Sequence, residues 1–122
     1  MVIRIVLAVV AAFVISSIWY VAFGKLLVRL SPAYAGKTAP WVPVVEVARS
    51  VVLAVVVAVG CDRLDLHGAG PLVAAAVVAW VGFPVVLLAG SVLHERVPWR
   101  LAAIHAGDWL LKLIAVTLIV GV

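Results

Sequence analysis

"HERVPWRLAAIHAGDWLLKL", residues 94–113, packs seven ionisable side chains into a chain that has few elsewhere. His94, Glu95, Arg96 and Arg100 surround a Pro-Trp corner, while His105, Asp108 and Lys112 run on into an apolar stretch that ends at Val122. A charged side chain at the centre of a bilayer costs at least roughly 2.5–3.5 kcal/mol on insertion scales. The fold therefore turns on whether the segment after Trp99 spans a membrane, and the function on what repays those charges.

Composition answers the first question. Of 122 residues, 68% are hydrophobic and 11% are charged, and mean hydropathy is +1.37. Soluble domains carry about 25% charged residues, so the chain reads as an integral membrane protein of one domain. Nine Lys and Arg against five Asp and Glu give a formal +4. In an apolar chain that excess reads as a topology signal and an affinity for anionic lipid rather than for nucleic acid. Cys61, the single cysteine, excludes an internal disulfide and reads as a small buried residue.

Working outward from residues 94–113, four apolar segments each approach the roughly 20 residues that cross a bilayer. They cover about residues 2–23, 42–60, 71–93 and 99–120. The first is longer than the roughly 7–15 apolar residues of a signal peptide and ends in Trp-Tyr, so it reads as a retained span. Backbone groups in lipid must be satisfied within the segment, which makes the spans helical. "RLSPAYAGKTAPWVP", "CDRLDLHGAGP" and "HERVPWR" read as the breaks. The fold class is all-α: a transmembrane four-helix bundle with antiparallel neighbours and a kink near Pro84, which removes one backbone donor. Ala75 and Ala79 form a small-xxx-small pair suited to helix contact. His67 reads as a solvated turn residue.

Lys25, Arg29, Lys37, Arg96 and Arg100 fall in the first and third connections, against Arg4 and Arg63 on the other side. The positive-inside rule then places those connections in the cytoplasm and both termini outside, in a bacterial inner membrane. Trp19, Tyr20, Trp41 and Trp99 would form the aromatic belt at that face.

His105, Asp108 and Lys112 lie within an arc of about 60° on one helix, and Glu46, Arg49 and Ser50 within about 100° on another. Ser16, Tyr20, Phe23 and Gly24 share a face of the first. The topology collects these stripes, with His94, Glu95, Arg96 and Arg100, in the cytoplasmic half of the bundle. Three acids (Glu46, Glu95, Asp108) against four bases (Arg49, Arg96, Arg100, Lys112) permit mutual pairing, which buried ions require. Arg49 is expected to pair with Glu46 along its helix or with Asp108 across the bundle, and Arg100 with Glu95, Glu46 or a lipid phosphate.

The candidate site is thus Tyr20, Glu46, Arg49, Glu95, Arg100, His105, Asp108 and Lys112. One reading is a cytoplasmic-side polar cavity that binds or passes an ion, a proton or a small polar solute. His105 would be its group titrating near neutrality. The other reading is a structural or assembly subunit whose charges lock helix packing, each contact worth about 0.6–2 kcal/mol. His94, Glu95, His105 and Asp108 are metal-ligand types at a spacing that matches no metal motif, among cations that oppose a metal. Ser50 or Ser16 beside His105 would be needed for hydrolysis, and the sequence does not join them. No cofactor or metal is called for; expected partners are membrane lipids and a second copy or larger membrane protein.

"SSIWYVAFGKLLVRL" together with "GFPVVLLAGSVLHERVPWRLAAIHAGDWLLKL" resembles a family of small bacterial four-span membrane proteins known as domain of unknown function 1761. Trp19, Tyr20, Phe23, Gly24 and Lys25 match the first family segment, and Glu95, Arg96, Pro98, Trp99, Ala106 and Gly107 the second. His105 and Asp108 depart from it, standing where the family usually has Asn and an aromatic. The resemblance implies four helices and no activity. Small multidrug exporters of similar size use an acid in their first helix; this first helix has none.

Overall fold

The computed structural model describes residues 1–34, 36 and 39–122; Lys37, counted above among the cytoplasmic cations, lies outside them. The described residues form helices α1 (Val2–Ala22), α2 (Gly24–Leu30), α3 (Val42–Arg63), α4 (Ala69–Gly82), α5 (Pro84–His94) and α6 (Trp99–Gly121), with a 3-10 turn at Pro32–Tyr34. No strand occurs among the described residues. Four helical spans are long and apolar enough to cross a membrane: Val2–Ala22, Val42–Arg63, Ala69–His94 and Trp99–Gly121. The chain is an all-α, multi-pass membrane protein.

Punctuation follows side-chain chemistry. Pro84 cannot donate to the carbonyl of Trp80, so α4 stops at Phe83 (φ −121°, ψ −76°) and α5 restarts with Pro84 at its first position, where a missing N–H costs nothing. The expected kink is a full interruption of the third span. The first span breaks at Phe23 and continues as α2, one turn and more beyond the expected end. After α3, Asp65 takes a left-handed conformation (φ 53°), and the Leu66 N–H closes on the Cys61 carbonyl at 3.1 Å, a Schellman-type stop that a short polar side chain tolerates.

The last helix is the hub. α6 packs against α1, α3, α4 and α5, whereas α1 pairs with α3 on one side of it and α4 pairs with α5 on the other. Burial follows, with 39% of the most apolar window of α6 buried against 11–17% in the other spans. At the end carrying the chain termini, Ala8, Ala12, Ala54 and Ala58 pack with Cys61, Leu72, Val116 and Val120. Alanines spaced four apart on α1 and α3 let those backbones approach closely. Ala75 and Ala79 on α4 are half-buried. At the loop end, Leu27, Leu101 and Ile104 form a smaller core. Between the two cores the bundle is polar.

Candidate functional site

Helical spacing aims three side-chain rows into the gap between the two cores. Phe13, Ser16, Ser17 and Tyr20 come from α1, Glu46, Arg49 and Ser50 from α3, and His105, Asp108, Trp109 and Lys112 from α6. With Tyr34 from the 3-10 turn and Val42 and Pro43 at the start of α3, they enclose a half-open cavity of about 610 Å³. At 1.5 Å per residue, Lys112 lies roughly 20 Å along α6 from Trp99, so the cavity reaches mid-bundle.

The deepest feature is an ion pair. Asp108 is 2% exposed and Lys112 7%; Lys112 Nζ lies 3.0 Å from Asp108 Oδ2, one turn apart on α6. Ser16 donates its hydroxyl to Asp108 Oδ1 at 2.8 Å, and Lys112 Nζ stands 4.2 Å from the centre of the Trp109 ring, a cation–π contact. Both carboxylate oxygens are therefore engaged. No fully buried side-chain N or O among the described residues lacks a partner.

One turn toward the loops, His105 is gripped at both ring nitrogens. Tyr20 Oη lies 2.6 Å from Nδ1 and Tyr34 Oη 3.2 Å from Nε2. A neutral imidazole donates at one nitrogen and accepts at the other, so one tyrosine donates and the other accepts. Burial of the Tyr34 phenol, which lies outside the spans, pushes its pKa above the ordinary 10.0.

Two tryptophans clamp α6 beside the site. Trp19 Nε1 donates to the Ile104 carbonyl at 2.8 Å, and Trp80 Nε1 donates to the Ala106 carbonyl at 2.7 Å, from opposite flanks. Gly107 makes the first clamp possible, because a Cβ there would stand 2.5 Å from Trp19 Cζ2.

Of the residues picked from sequence, Tyr20, Glu46, Arg49, His105, Asp108 and Lys112 line the cavity. Glu95 and Arg100 do not. Both are exposed at the α5–α6 corner, and Arg100 lies over the Trp99 ring at 5.5 Å rather than pairing with either glutamate. His94 and Arg96 are exposed there too. All four stand at the corner where α5 ends and α6 begins, before the stripe of His105, Asp108 and Lys112.

Arg49 takes Glu46, at 2.6 Å, and not Asp108, whose partner is Lys112. Trp19 and Tyr20 turn inward to α6; Trp41 and Trp99 are exposed at 63% and 67%. The Ser16 hydroxyl goes to Asp108, and both nitrogens of His105 are taken by tyrosines, so no serine–histidine pair forms among the described residues. Nor do any three of His, Cys, Asp and Glu converge there. His67, exposed in its turn, contacts Asp65 at 2.6 Å.

Ser16 stands on the Tyr20 face as its i, i+4 spacing predicts, with Asp108 as its partner, while Tyr34 and Trp109 join the site without a sequence signal. Tyr34 sits in an irregular connection, where no periodicity tells which way a side chain points.

A family model described as "Protein of unknown function (DUF1761)" matches residues 3–121. Neither the curated proteins nor the solved structures contain a match.

Proposed function

The chain belongs to the DUF1761 family, whose description assigns no activity, so the cavity carries the functional reading: we propose that it is a water-accessible vestibule that binds or passes a small polar solute or ion. The observation behind this is the single space of about 610 Å³ onto which Glu46, Arg49, His105, Asp108 and Lys112 all open. Ligand pockets fall at about 300–1,000 Å³, and ionisable groups kept inside a membrane mark solute and ion pathways. The positive-inside rule puts the mouth in the cytoplasm, with both termini outside and an inner-membrane location. Val116 and Val120, with the four alanines of α1 and α3, stop the vestibule short of the far side. The apolar exterior is then available to lipid, to a second copy or to a larger membrane protein.

Phe13 and Val14 test the vestibule at one depth. Phe13 lines the cavity; Val14, 46% exposed, does not. With Cys61 replaced by Ala, Phe13→Cys should react with a membrane-impermeant maleimide in native membranes and Val14→Cys should not. Equal reactivity, or none at position 13, overturns the vestibule.

A second reading is favoured by the satisfied state of Asp108. Both its oxygens are engaged, as a structural lock requires, and in that reading the charges only fix α1 and α6 in register. A dry cavity in the labelling experiment is its expected result.

A further inference from the structure

Charged hydrogen-bond donors and acceptors on the cavity wall are out of balance. Tyr20, His105 and Tyr34 bring three polar hydrogens, two O–H and one N–H of a neutral imidazole, to only two bonds. One tyrosine hydroxyl keeps a free hydrogen in either tautomer. The ammonium of Lys112 has three hydrogens and one carboxylate partner; the guanidinium of Arg49 has five, with one bond to Glu46. The charged acceptors are nearly spent, the hydroxyl oxygens of Ser16, Ser17 and Ser50 being neutral. Asp108 has both oxygens engaged and is 2% exposed, which leaves chiefly Glu46 Oε2. Unspent hydrogens on the two cations outnumber the unspent carboxylate oxygens. The complement of such a wall is an oxyanion.

The rest of the wall is apolar: Phe13, Val42, Pro43 and Trp109. Phe13, Pro43 and Arg49 line the cavity and are also exposed, so besides the mouth at the loop end the space has a side opening between α1 and α3, toward the surface that faces lipid. A molecule dissolved in the bilayer reaches the donors from that side without leaving the membrane.

We propose that the cavity takes a membrane-dissolved amphiphile in which an oxyanion head, carboxylate or phosphate, is joined to an apolar chain. Its head is held by Arg49 and Lys112 and its chain lies along Phe13, Val42 and Trp109. This deepens the vestibule reading by naming the ligand class.

The test uses the full chain, with Cys61 replaced by Ala and Phe13 by Cys, in phosphatidylcholine vesicles. Palmitate should slow maleimide labelling of position 13, and 1-hexadecanol, with the same chain and no charge, should not. Phosphatidylglycerol in place of palmitate distinguishes a lipid headgroup from a free acid, and protection by either supports the proposal.

Arg49→Gln removes a donor that is exposed and outside both cores, so the fold is retained. It should weaken protection roughly 10–100-fold, the equivalent of one charge-assisted hydrogen bond. Native mass spectrometry of the unlabelled chain reads the same binding independently. Palmitate retained by the wild type and lost in Arg49→Gln, with position 13 unreactive, would support the ligand class and sink only the hydrated vestibule. Equal protection by hexadecanol, no protection by either anion, or an unchanged Arg49→Gln overturns the proposal.

Discussion

Lys112 reaches back one helical turn to Asp108, its Nζ 3.0 Å from Oδ2, and the pair is almost wholly buried at the middle of the most enclosed helix. Its two members are unequal in surroundings. Asp108 is also anchored across the bundle by Ser16, while Lys112 has the Trp109 ring as its other neighbour. Removing Lys112 alone strands a buried carboxylate.

Lys112→Met should therefore cost about 3–5 kcal/mol, and Lys112→Met with Asp108→Leu should recover most of it, since loss of one partner leaves an uncompensated charge. Reversible unfolding in mixed micelles measures the cycle. Additive single-variant effects would contradict the coupling.

Gly107→Ala drives a Cβ to 2.5 Å from Trp19 Cζ2, so the indole must leave the Ile104 carbonyl. Overpacking typically costs about 1–3 kcal/mol, and a smaller ring should relieve it. The expected outcome is that Gly107→Ala is destabilised and that Trp19→Phe added to it costs less than it does alone. Thermal unfolding of the four proteins checks this.

His105 offers a spectroscopic reading of the cavity. With His67 and His94 changed to Gln, nitrogen NMR should show one imidazole hydrogen-bonded at both nitrogens. Tyr20→Phe should move chiefly Nδ1 and Tyr34→Phe chiefly Nε2. A ring that responds to neither change is not held as described.

Tyr34 gives a pH dependence with a definite sign. Its pKa is raised in the folded state, so its contribution is complete below the unfolded value, about 10, and is lost as pH rises through the raised one. Phenolate absorbance of the wild type minus Tyr34→Phe should show a tyrosine that titrates above pH 10.

Topology rests on the lysines and arginines of the connections. In intact cells, Ser31→Cys should be shielded from an impermeant reagent and Gly68→Cys labelled. The reverse pattern would place the cavity mouth outside.

Apolar length and Pro-Gly punctuation were enough to read four spans and an irregularity at Pro84, because a bilayer forces backbone hydrogen bonds inside each segment. Periodicity also put His105, Asp108 and Lys112 on one stripe and Ser16 with Tyr20 on another, since 3.6 residues per turn is fixed by the backbone. Which stripes meet was decided only by tertiary packing. α6 became the hub with α1 and α3 on one flank and α4 and α5 on the other, and Glu95 and Arg100 ended at the exposed corner between α5 and α6. Depth is a one-dimensional property that the chain carries locally. The choice among partners at one depth is made by which helices approach closely. That depends on the alanines of α1 and α3 and on Gly107, whose missing Cβ admits Trp19. For the same reason Asp108 met Ser16 across the bundle, whereas its pairing with Lys112 at i, i+4 and that of Arg49 with Glu46 at i, i+3 stay within one helix.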